Sequence, residues 1–354
     1  MPNVRARVQG CIGGVSGANQ TAPLMEGRLK NKEAPMMMKK IVSLVLALML
    51  CLSCVSALAA EAWTVTCPWA PSGVAAMVNQ KAASLSTTYS QDYVLVANAE
   101  KGDTATINSW LTKYTEADPQ MCFIGEGMFG ITAILDPERM NFTYDDFEYV
   151  ENLYSSIFVA SARKELGLTS IDALKAYLEE GNQIMVGTNG ATGSEAFLAA
   201  ALIGAMGYGD QFYLIPYESA AEAAQAVARG EVDIAVSHQS QILETWQQGG
   251  VDVFAAFDGE PIAQGPFKGV EGVGQYGYPY FRNRCFIFAK AGADEQKIAD
   301  LKALYAQILT DEEMVDWLNN TMLLEADVMT EEEVIAHIDN VKNIVEEYYD
   351  LVAE

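Results

Sequence analysis

The sequence has 354 residues, of which 50% are hydrophobic and 19% charged, and its formal net charge is −25. This apolar content excludes an intrinsically disordered chain, and the small share of Lys and Arg argues against a nucleic-acid-binding protein. Because the only histidines are His238 and His337, a multi-histidine metal site is also excluded. The length suggests two domains of ordinary size.

The first 59 residues are expected to be absent from the folded protein. Two lysines precede the apolar run 41–52, and an Ala-Leu-Ala triplet ends at Ala59, which predicts a cleavable signal peptide over residues 36–59. We therefore expect a periplasmic protein, with a lipoprotein anchor at Cys54 as the alternative. Residues 1–35 precede this signal and are predicted to be untranslated leader read as coding sequence.

From residue 60 onward, apolar strand-like runs alternate with helical patterns, which predicts an α/β architecture with parallel sheets. The predicted strands are 63–67, 93–97, 121–124, 157–162, 184–186, 212–216, 232–236, 253–257 and 284–289. The predicted helices between them are 74–86, 104–113, 169–178, 194–206, 220–228 and 239–248. The stretch from 258 to 281 is predicted to be loop, and the remainder helical.

The C-terminal part carries helix-start signals. Thr310 with Glu313, and Thr330 with Glu333, match the capping-box pattern. Steps of four and three residues along the last helix predict an apolar stripe that packs against a domain, and a coiled-coil partner is the alternative. The stripe consists of Val334, Ile338, Val341, Val345, Tyr348 and Val352. His337 lies off this stripe and is expected to face solvent.

Three cysteines remain after the signal peptide, namely Cys67, Cys122 and Cys285. Each lies in an apolar, strand-like run, so we expect small buried hydrophobic side chains. A disulfide between Cys67 and Cys122 is the alternative.

Four predicted strands end in turns that open helices, at residues 68–73, 125–127, 187–194 and 237–240. In open α/β sheets, ligands bind outside the carboxyl ends of the strands. Glycine lets backbone N–H groups approach an anion, and the helix N-terminus adds donors and a partial positive charge. This arrangement predicts that a carboxylate is held without an arginine.

The turn at 187–194 has the spacing G-x-x-G-x-x-G, which differs from the G-x-G-x-x-G of dinucleotide sites. Its Thr, Asn and Ser side chains add donors, so we predict anion or ligand capture, with glycines required only for turn geometry as the alternative. Catalytic motifs of hydrolases and metalloproteases are missing from the sequence. His238 is predicted to be a hydrogen-bonding residue, and only Ser240 beside it leaves a remote hydrolase alternative. No cofactor and no metal are expected.

These turns, in this order, carry a resemblance to a known family. Residues 215–219, Ile-Pro-Tyr-Glu-Ser, followed by Gly-Glu-Val-Asp at 230–233, are similar to its V-P-Y-x-S/G … G-x-V-D signature. Residues 68–73 and 187–194 resemble its two ligand loops, P-[FW]-x-x-G-G and G-x-x-G-x-G-S. The family is the receptor family of tripartite tricarboxylate transporters, the Bug-type periplasmic solute-binding proteins. The resemblance covers almost all of the chain after residue 60.

The resemblance implies a two-lobed α/β fold of the type II periplasmic-binding-protein class, with two doubly wound lobes joined by two crossover segments. Lobe 1 would comprise residues 60–160 plus 283–354, and lobe 2 residues 161–282. The substrate would lie between the lobes and be delivered to integral membrane transporter subunits without catalysis. We expect a monomer that binds a small carboxylate or an amino acid. A receptor for another transporter type, or for a sensor kinase, is the alternative.

The expected ligand-binding set combines the family's loops with the strand-end argument. It consists of Trp69, Ser72, Gly73, Ala75, Ala76, Glu126, Thr188, Asn189, Thr192, Gly193, Ser194, Tyr217 and His238. Ala75 and Ala76 stand where the family usually has Ser/Thr and Asp, so the contacts expected for a tricarboxylate are altered. Glu126 and Glu195 also follow strands. If they face the cleft, they repel a polyanion unless water or a substrate amino group intervenes; surface solvation is the alternative.

Overall fold

The computed structural model describes residues 59–352, and these residues fold around two five-stranded sheets. The predicted leader and signal peptide lie outside the described residues, apart from Ala59. The strands, in chain order, are β1 (Glu61–Cys67), β2 (Tyr93–Ala99), β3 (Gln120–Gly125), β4 (Phe147–Ser156), β5 (Phe158–Arg163), β6 (Ile184–Asn189), β7 (Phe212–Tyr217), β8 (Ile234–His238), β9 (Val251–Ala256) and β10 (Asn283–Lys290).

Helices cover both faces of each sheet. They are α1 (Val74–Tyr89), α2 (Thr104–Lys113), α3 (Ala133–Leu135), α4 (Ile171–Glu179), α5 (Ser194–Ala205), α6 (Ala220–Ala228), α7 (Gln239–Gln247), α8 (Glu295–Thr310), α9 (Glu312–Asp316), α10 (Glu331–Glu347) and α11 (Tyr349–Val352). No helix within residues 59–352 is long and apolar enough to cross a bilayer.

The two sheets are mixed, whereas the alternation of strands and helices predicts parallel sheets. The first has the order β2-β1-β3-β10-β4 and the second β7-β6-β8-β5-β9. In the first sheet, β10 runs antiparallel to β3 and β4, and in the second, β5 runs antiparallel to β8 and β9. The remaining pairs are parallel. The reversed strands are those that enter a sheet directly from the other lobe, without a crossover helix.

Strand β10 shows why each sheet is covered on two sides. Phe286 and Phe288 belong to one apolar cluster of the first lobe, whereas Cys285 and Ile287 belong to the cluster on the opposite face. Successive side chains of a strand point to opposite faces, so a continuous apolar run requires cover on both. The predicted fold class, with two doubly wound lobes, is confirmed.

Strand β4 is missing from the sequence prediction. Its residues are almost all buried, but Glu151, Asn152 and Ser155 interrupt the apolar pattern. The segment before α10 supplies part of their hydrogen bonding. The Asn152 side chain donates to the Asp327 carbonyl at 2.7 Å, and the Ser155 N–H donates to the Glu325 carbonyl at 2.9 Å.

The chain passes from the first sheet to the second at Ile157, between β4 and β5, and returns immediately before Asn283. Arg282 lies at the return. Its guanidinium contacts Glu325 Oε2 at 2.7 Å and Asp258 Oδ2 at 2.9 Å, and so joins residues next to the two sheets. The lobe division at residues 160 and 282 stays a prediction.

The apolar stripe of α10 packs against both lobes. Val334 and Ile338 lie in a first-lobe cluster, whereas Val341 and Val345 lie in a cluster of the second lobe. The predicted burial of these four residues is confirmed, and Tyr348 is partly buried. The side chain of Val352 lies outside the described residues. One helix therefore packs against both cores.

One predicted capping box is confirmed and the other is wrong. Thr330 Oγ1 accepts from the Glu333 N–H, and Glu333 accepts from the Thr330 N–H in return. Thr310 is instead the last residue of α8, and Asp311 caps α9 by accepting from the Met314 N–H at 2.9 Å. An Asp directly after the Thr competes for the same cap, and sequence spacing does not separate the two.

The expectation that His337 faces solvent is also wrong, because its ring lies 3.1 Å from Arg284 Nη1 and burial lowers its pKa to about 3.

The three cysteines of residues 59–352 are buried and free, as the preferred interpretation predicts. Burial raises the pKa of the Cys67 thiol to about 12.

Candidate functional site

The turn between β1 and α1 forms one wall of the site. Trp69 lies within it, and the Gly73 N–H donates to the Ala70 carbonyl at 2.8 Å, which reverses the chain before the helix begins. The first turn of α1 has no side-chain cap and no acidic residue. Its N–H groups at Val74 and Ala75, with their partial positive charge, therefore lie at the cavity wall.

Glu126 follows β3 and is fully buried. Its carboxylate accepts from Asn283 Nδ2 at 2.9 and 3.2 Å and from the Arg284 N–H at 2.8 Å. Ser194 Oγ, which belongs to the second lobe, donates to it at 3.0 Å. Burial raises the pKa of Glu126, and these donors oppose that rise. The carboxyl group thus ties the end of β3 to the start of β10 and to the facing lobe.

The turn between β6 and α5 forms the facing wall. Gly190 has a φ of 74°, a conformation that favours glycine, and its N–H donates to the Tyr217 carbonyl at 3.1 Å. Thr188 Oγ1 donates to the Gly190 carbonyl at 2.8 Å, so this hydroxyl shapes the turn and does not face the cavity. Asn189 and Thr192 lie on the wall.

His238 ends β8 and contributes a neutral ring. Its Nδ1 lies 2.8 Å from Ser156 Oγ, and its ring centroid lies 4.7 Å from that of Phe158. Burial lowers its pKa to about 3, so the imidazole is uncharged at neutral pH. His238 offers a hydrogen-bonding atom to the site without adding positive charge.

These turns enclose a cavity of about 590 Å³ between the lobes. Besides the Glu126–Ser194 hydrogen bond, two contacts join the lobes beside it. Arg139 Nη1 donates to Thr192 Oγ1 at 2.8 Å, and Lys101 Nζ lies 2.8 Å from Glu218 Oε2. The lobes therefore touch directly around the cavity, which is a closed arrangement.

Solved structures share this architecture. The structure of Rpa4515 from R. palustris with adipate matches with a TM-score of 0.72 and 15% identity, covering 82% of this chain and 96% of that chain. MatC from Rhodopseudomonas palustris with bound malate matches with a TM-score of 0.69 and 17% identity, covering 82% of this chain and 98% of that chain. The periplasmic binding protein BugD matches with a TM-score of 0.71 and 16% identity, covering 83% of this chain and 98% of that chain. No family profile matches the sequence. No curated protein matches it.

The chain has the fold of periplasmic solute-binding proteins. The neighbours also include a TctC solute-binding protein from Polaromonas, with a TM-score of 0.63. The resemblance to the tripartite tricarboxylate transporter receptors, drawn from the loop motifs, is confirmed at the level of the fold.

In this solute-binding fold, most of the predicted ligand-binding residues lie on the cavity wall. They are Trp69, Gly73, Ala75, Glu126, Asn189, Thr192, Gly193, Ser194, Tyr217 and His238. Three others do not. Ser72 is exposed outside the cavity, Ala76 is packed in the core under α1, and Thr188 is turned to the Gly190 carbonyl. A one-residue step along a turn or a helix rotates the side chain away from the cavity.

The structure adds wall residues that the sequence argument missed. Lys101 and Asp103 come from the β2–α2 turn, and Asn283 comes from the start of β10. Asp103 has a φ of 52°, which is uncommon for a residue other than glycine. Arg139, in the turn Pro137–Arg139, corrects the expectation of a site without arginine. The β2–α2 turn is also a strand end, so the rule used for the other four turns could have found it; no sequence signal marks Arg139.

Proposed function

We propose that this protein is an extracytoplasmic solute receptor that binds a small carboxylate or an amino acid in the interlobe cavity and delivers it to a tripartite tricarboxylate-type membrane transporter. The observation that carries the proposal is the cavity of about 590 Å³, whose wall combines strand-end turns of both lobes. Pockets for small metabolites have this size and this mixture of apolar and polar groups.

The wall offers suitable donors to a carboxylate. The uncapped first turn of α1 lies on one side, and the turn Asn189–Ser194 at the start of α5 lies on the other. Helix N-termini present free N–H groups and a partial positive charge to an anion. The fold neighbours Rpa4515 and MatC are described with adipate and malate, which are both small dicarboxylates.

Delivery to a membrane partner is part of the same proposal. A receptor of this kind is read by its transporter in the ligand-bound, closed form, and the contacts Arg139–Thr192 and Lys101–Glu218 hold the lobes in such a form. The predicted signal peptide over residues 36–59 would place the receptor in the periplasm. We propose that it acts as a monomer.

The geometry supports binding without catalysis. A hydrolase would need a nucleophile beside a base at the cavity, and the sequence argument left Ser240 with His238 as the candidate pair. Ser240 does not line the cavity, and its buried hydroxyl has no hydrogen-bond partner among the described residues. His238 Nδ1 instead faces Ser156, which also lies off the wall.

A thermal-shift screen of residues 60–354 with carboxylates and amino acids tests the proposal, followed by isothermal titration calorimetry of each hit. A ligand that binds only the folded state raises the melting temperature by mass action, by an amount that grows with its concentration. We expect at least one saturable hit with one site per chain. A panel of small acids and amino acids without any hit would contradict the proposal. Breakdown of a hit compound during incubation would contradict the non-enzymatic part.

A further inference from the structure

The charges on the cavity wall are unequal in number. Five wall residues are acidic and two are basic. The basic residues are Lys101 and Arg139, and the acidic ones are Asp103, Glu126, Glu195, Glu218 and Glu222. Such a wall has more negative than positive groups to offer a ligand.

Both basic side chains already have acidic partners. Lys101 Nζ lies 2.8 Å from Glu218 Oε2, and Arg139 Nη2 lies 3.3 Å from Asp103 Oδ2. Arg139 also donates to Thr192 across the lobes. A polycarboxylate that recruited either cation would share it with a carboxylate of the wall and lie close to that negative charge. The wall therefore disfavours a ligand that is only negative.

Two of the remaining acids already accept hydrogen bonds. Glu126 is surrounded by the donors Asn283, Arg284 and Ser194, and it holds the lobes together. Glu222 Oε2 accepts from the Glu218 N–H at 3.2 Å at the start of α6. Neither carboxyl group is left without a donor.

Glu195 differs from Glu126 and Glu222 in its hydrogen bonding. It lies in the first turn of α5 on the cavity wall and is 6% exposed. Its carboxyl accepts from its own backbone N–H, and no side chain of the described residues donates to it. A buried carboxyl group with no side-chain donor is costly unless a ligand supplies one. Trp69, Phe158 and Tyr217 line the same cavity, and aromatic faces attract cations.

We propose that Glu195 binds a positively charged amino group of the ligand, so that the ligand is an amino acid or another amine-bearing acid and not a plain di- or tricarboxylate. The inference rests on the proposed receptor function and narrows its substrate class. The ammonium group would donate to Glu195, and the carboxylate would take the backbone donors of the facing turns.

The pH dependence of binding separates this proposal from its alternative. Burial raises the pKa of Glu195 to about 8, and the negative charges of Glu126 and Asp103 add to that rise. The other titratable groups on the wall are Lys101, Arg139, Glu218, Glu222, the neutral His238, Tyr154, Tyr217 and Cys285. Burial raises the pKa of Tyr154, Tyr217 and Cys285, so these three groups stay protonated between about pH 6 and 8. An ammonium ligand requires ionised Glu195, so its affinity should rise as the pH increases from about 6 to 8. The affinity of a plain carboxylate should fall or stay constant over that interval.

The first test compares matched ligands by isothermal titration calorimetry on residues 60–354. Glutarate and glutamate, and succinate and aspartate, differ within each pair only by the amino group. We expect the amine-bearing member of at least one pair to bind at least about tenfold more tightly. If glutarate or succinate binds equally well or better, the inference is wrong while the receptor function stands. If no compound of the wider acid and amino-acid panel binds, the receptor function itself fails.

The second test removes the charge of Glu195 with little change of volume. Glu195→Gln should lower the affinity for the amine-bearing ligand by at least about tenfold, because no carboxylate remains to pair with the ammonium group. It should also abolish the rise of that affinity with pH. Binding of a plain dicarboxylate should be unchanged or stronger. Glu151→Gln is the matched control. Glu151 is also a buried carboxyl, but it lies in β4 away from the wall, so that variant should keep the ligand preference. Equal affinities in wild type and Glu195→Gln would overturn the assignment.

Discussion

Ser194 Oγ, at the start of α5 in the second lobe, donates a 3.0 Å hydrogen bond to Glu126 Oε1, which follows β3 in the first lobe. The approach is close because the residue beside Glu126 is a glycine. A Cβ atom at Gly127 would lie 2.7 Å from Ser194 Oγ, below any ordinary contact. The two turns therefore meet at a position where one methyl group decides whether the lobes can close fully.

Gly127→Ala should weaken ligand binding and leave the free energy of unfolding of the unliganded protein nearly unchanged. Gly127 has helical dihedral angles that alanine adopts without strain, and the added methyl group would be too close only to Ser194, across the lobes. To make room, Ser194 must give up its hydrogen bond to Glu126, which costs about 1 kcal/mol, or roughly fivefold in affinity. Calorimetric titration and chemical denaturation measure the two quantities. The double variant Gly127→Ala/Ser194→Ala should bind no more weakly than Ser194→Ala alone; a further loss would contradict the explanation.

Thr192→Val should also weaken ligand binding. Valine has the shape of threonine without the hydroxyl that accepts from Arg139 across the lobes. Because Arg139 is partly exposed, the expected loss is about 1 kcal/mol, or roughly fivefold in affinity. In calorimetric titrations, Arg139→Ala combined with Thr192→Val should lose less than the sum of the single variants. Arg229→Ala is the control, because Arg229 pairs with Glu231 away from the cavity and that variant should bind normally. Strict additivity would show that the contact carries no interlobe coupling.

His238→Gln should alter the dependence of stability on pH. Burial lowers the pKa of His238 to about 3, below the value of about 6.5 in an unfolded chain. The unfolded state then binds more protons between these values, so the stability that neutral His238 contributes is present above about pH 6.5 and is lost as the pH falls toward 3. Urea denaturation of wild type and variant between about pH 4 and 7 measures the effect. Glu126 and Glu195, with raised pKa values, act in the opposite direction in both proteins, so the difference isolates His238. If the free energy of unfolding changed with pH in the same way for wild type and variant, the prediction would be contradicted.

The three cysteines of residues 60–354 should be unreactive thiols. Cys67, Cys122 and Cys285 are buried and free, and burial raises the pKa of each thiol. The nucleophilic thiolate is therefore scarce and shielded. A thiol reagent should label no cysteine in the native protein and all three in denaturant without reductant. Labelling of Cys285 alone under those denaturing conditions would instead demonstrate the Cys67–Cys122 disulfide.

Most elements follow from local sequence alone. Helices α2 and α6 begin and end at the predicted residues, because their apolar spacing and their ends are local signals. Strand β4 does not follow from local sequence, since Glu151 and Asn152 are buried through hydrogen bonds to the segment 327–329, far along the chain. Asp311 caps α9 in place of Thr310 for a different reason, since these two adjacent residues carry the same local capping signal.

The same distinction holds for the site. The sequence by itself determined which turns follow strands, and so placed Trp69, Asn189, Ser194 and His238 at the wall of the cavity, because a strand end and a helix start are local features. Only the tertiary structure decided that Arg139 reaches Thr192, that Ser72 and Ala76 turn away from the cavity, and that no side chain of the described residues donates to the buried Glu195 carboxyl. The contact between Arg139 and Thr192 depends on how the two lobes close on each other. That closure joins residues more than fifty positions apart, and no spacing rule along the chain encodes it.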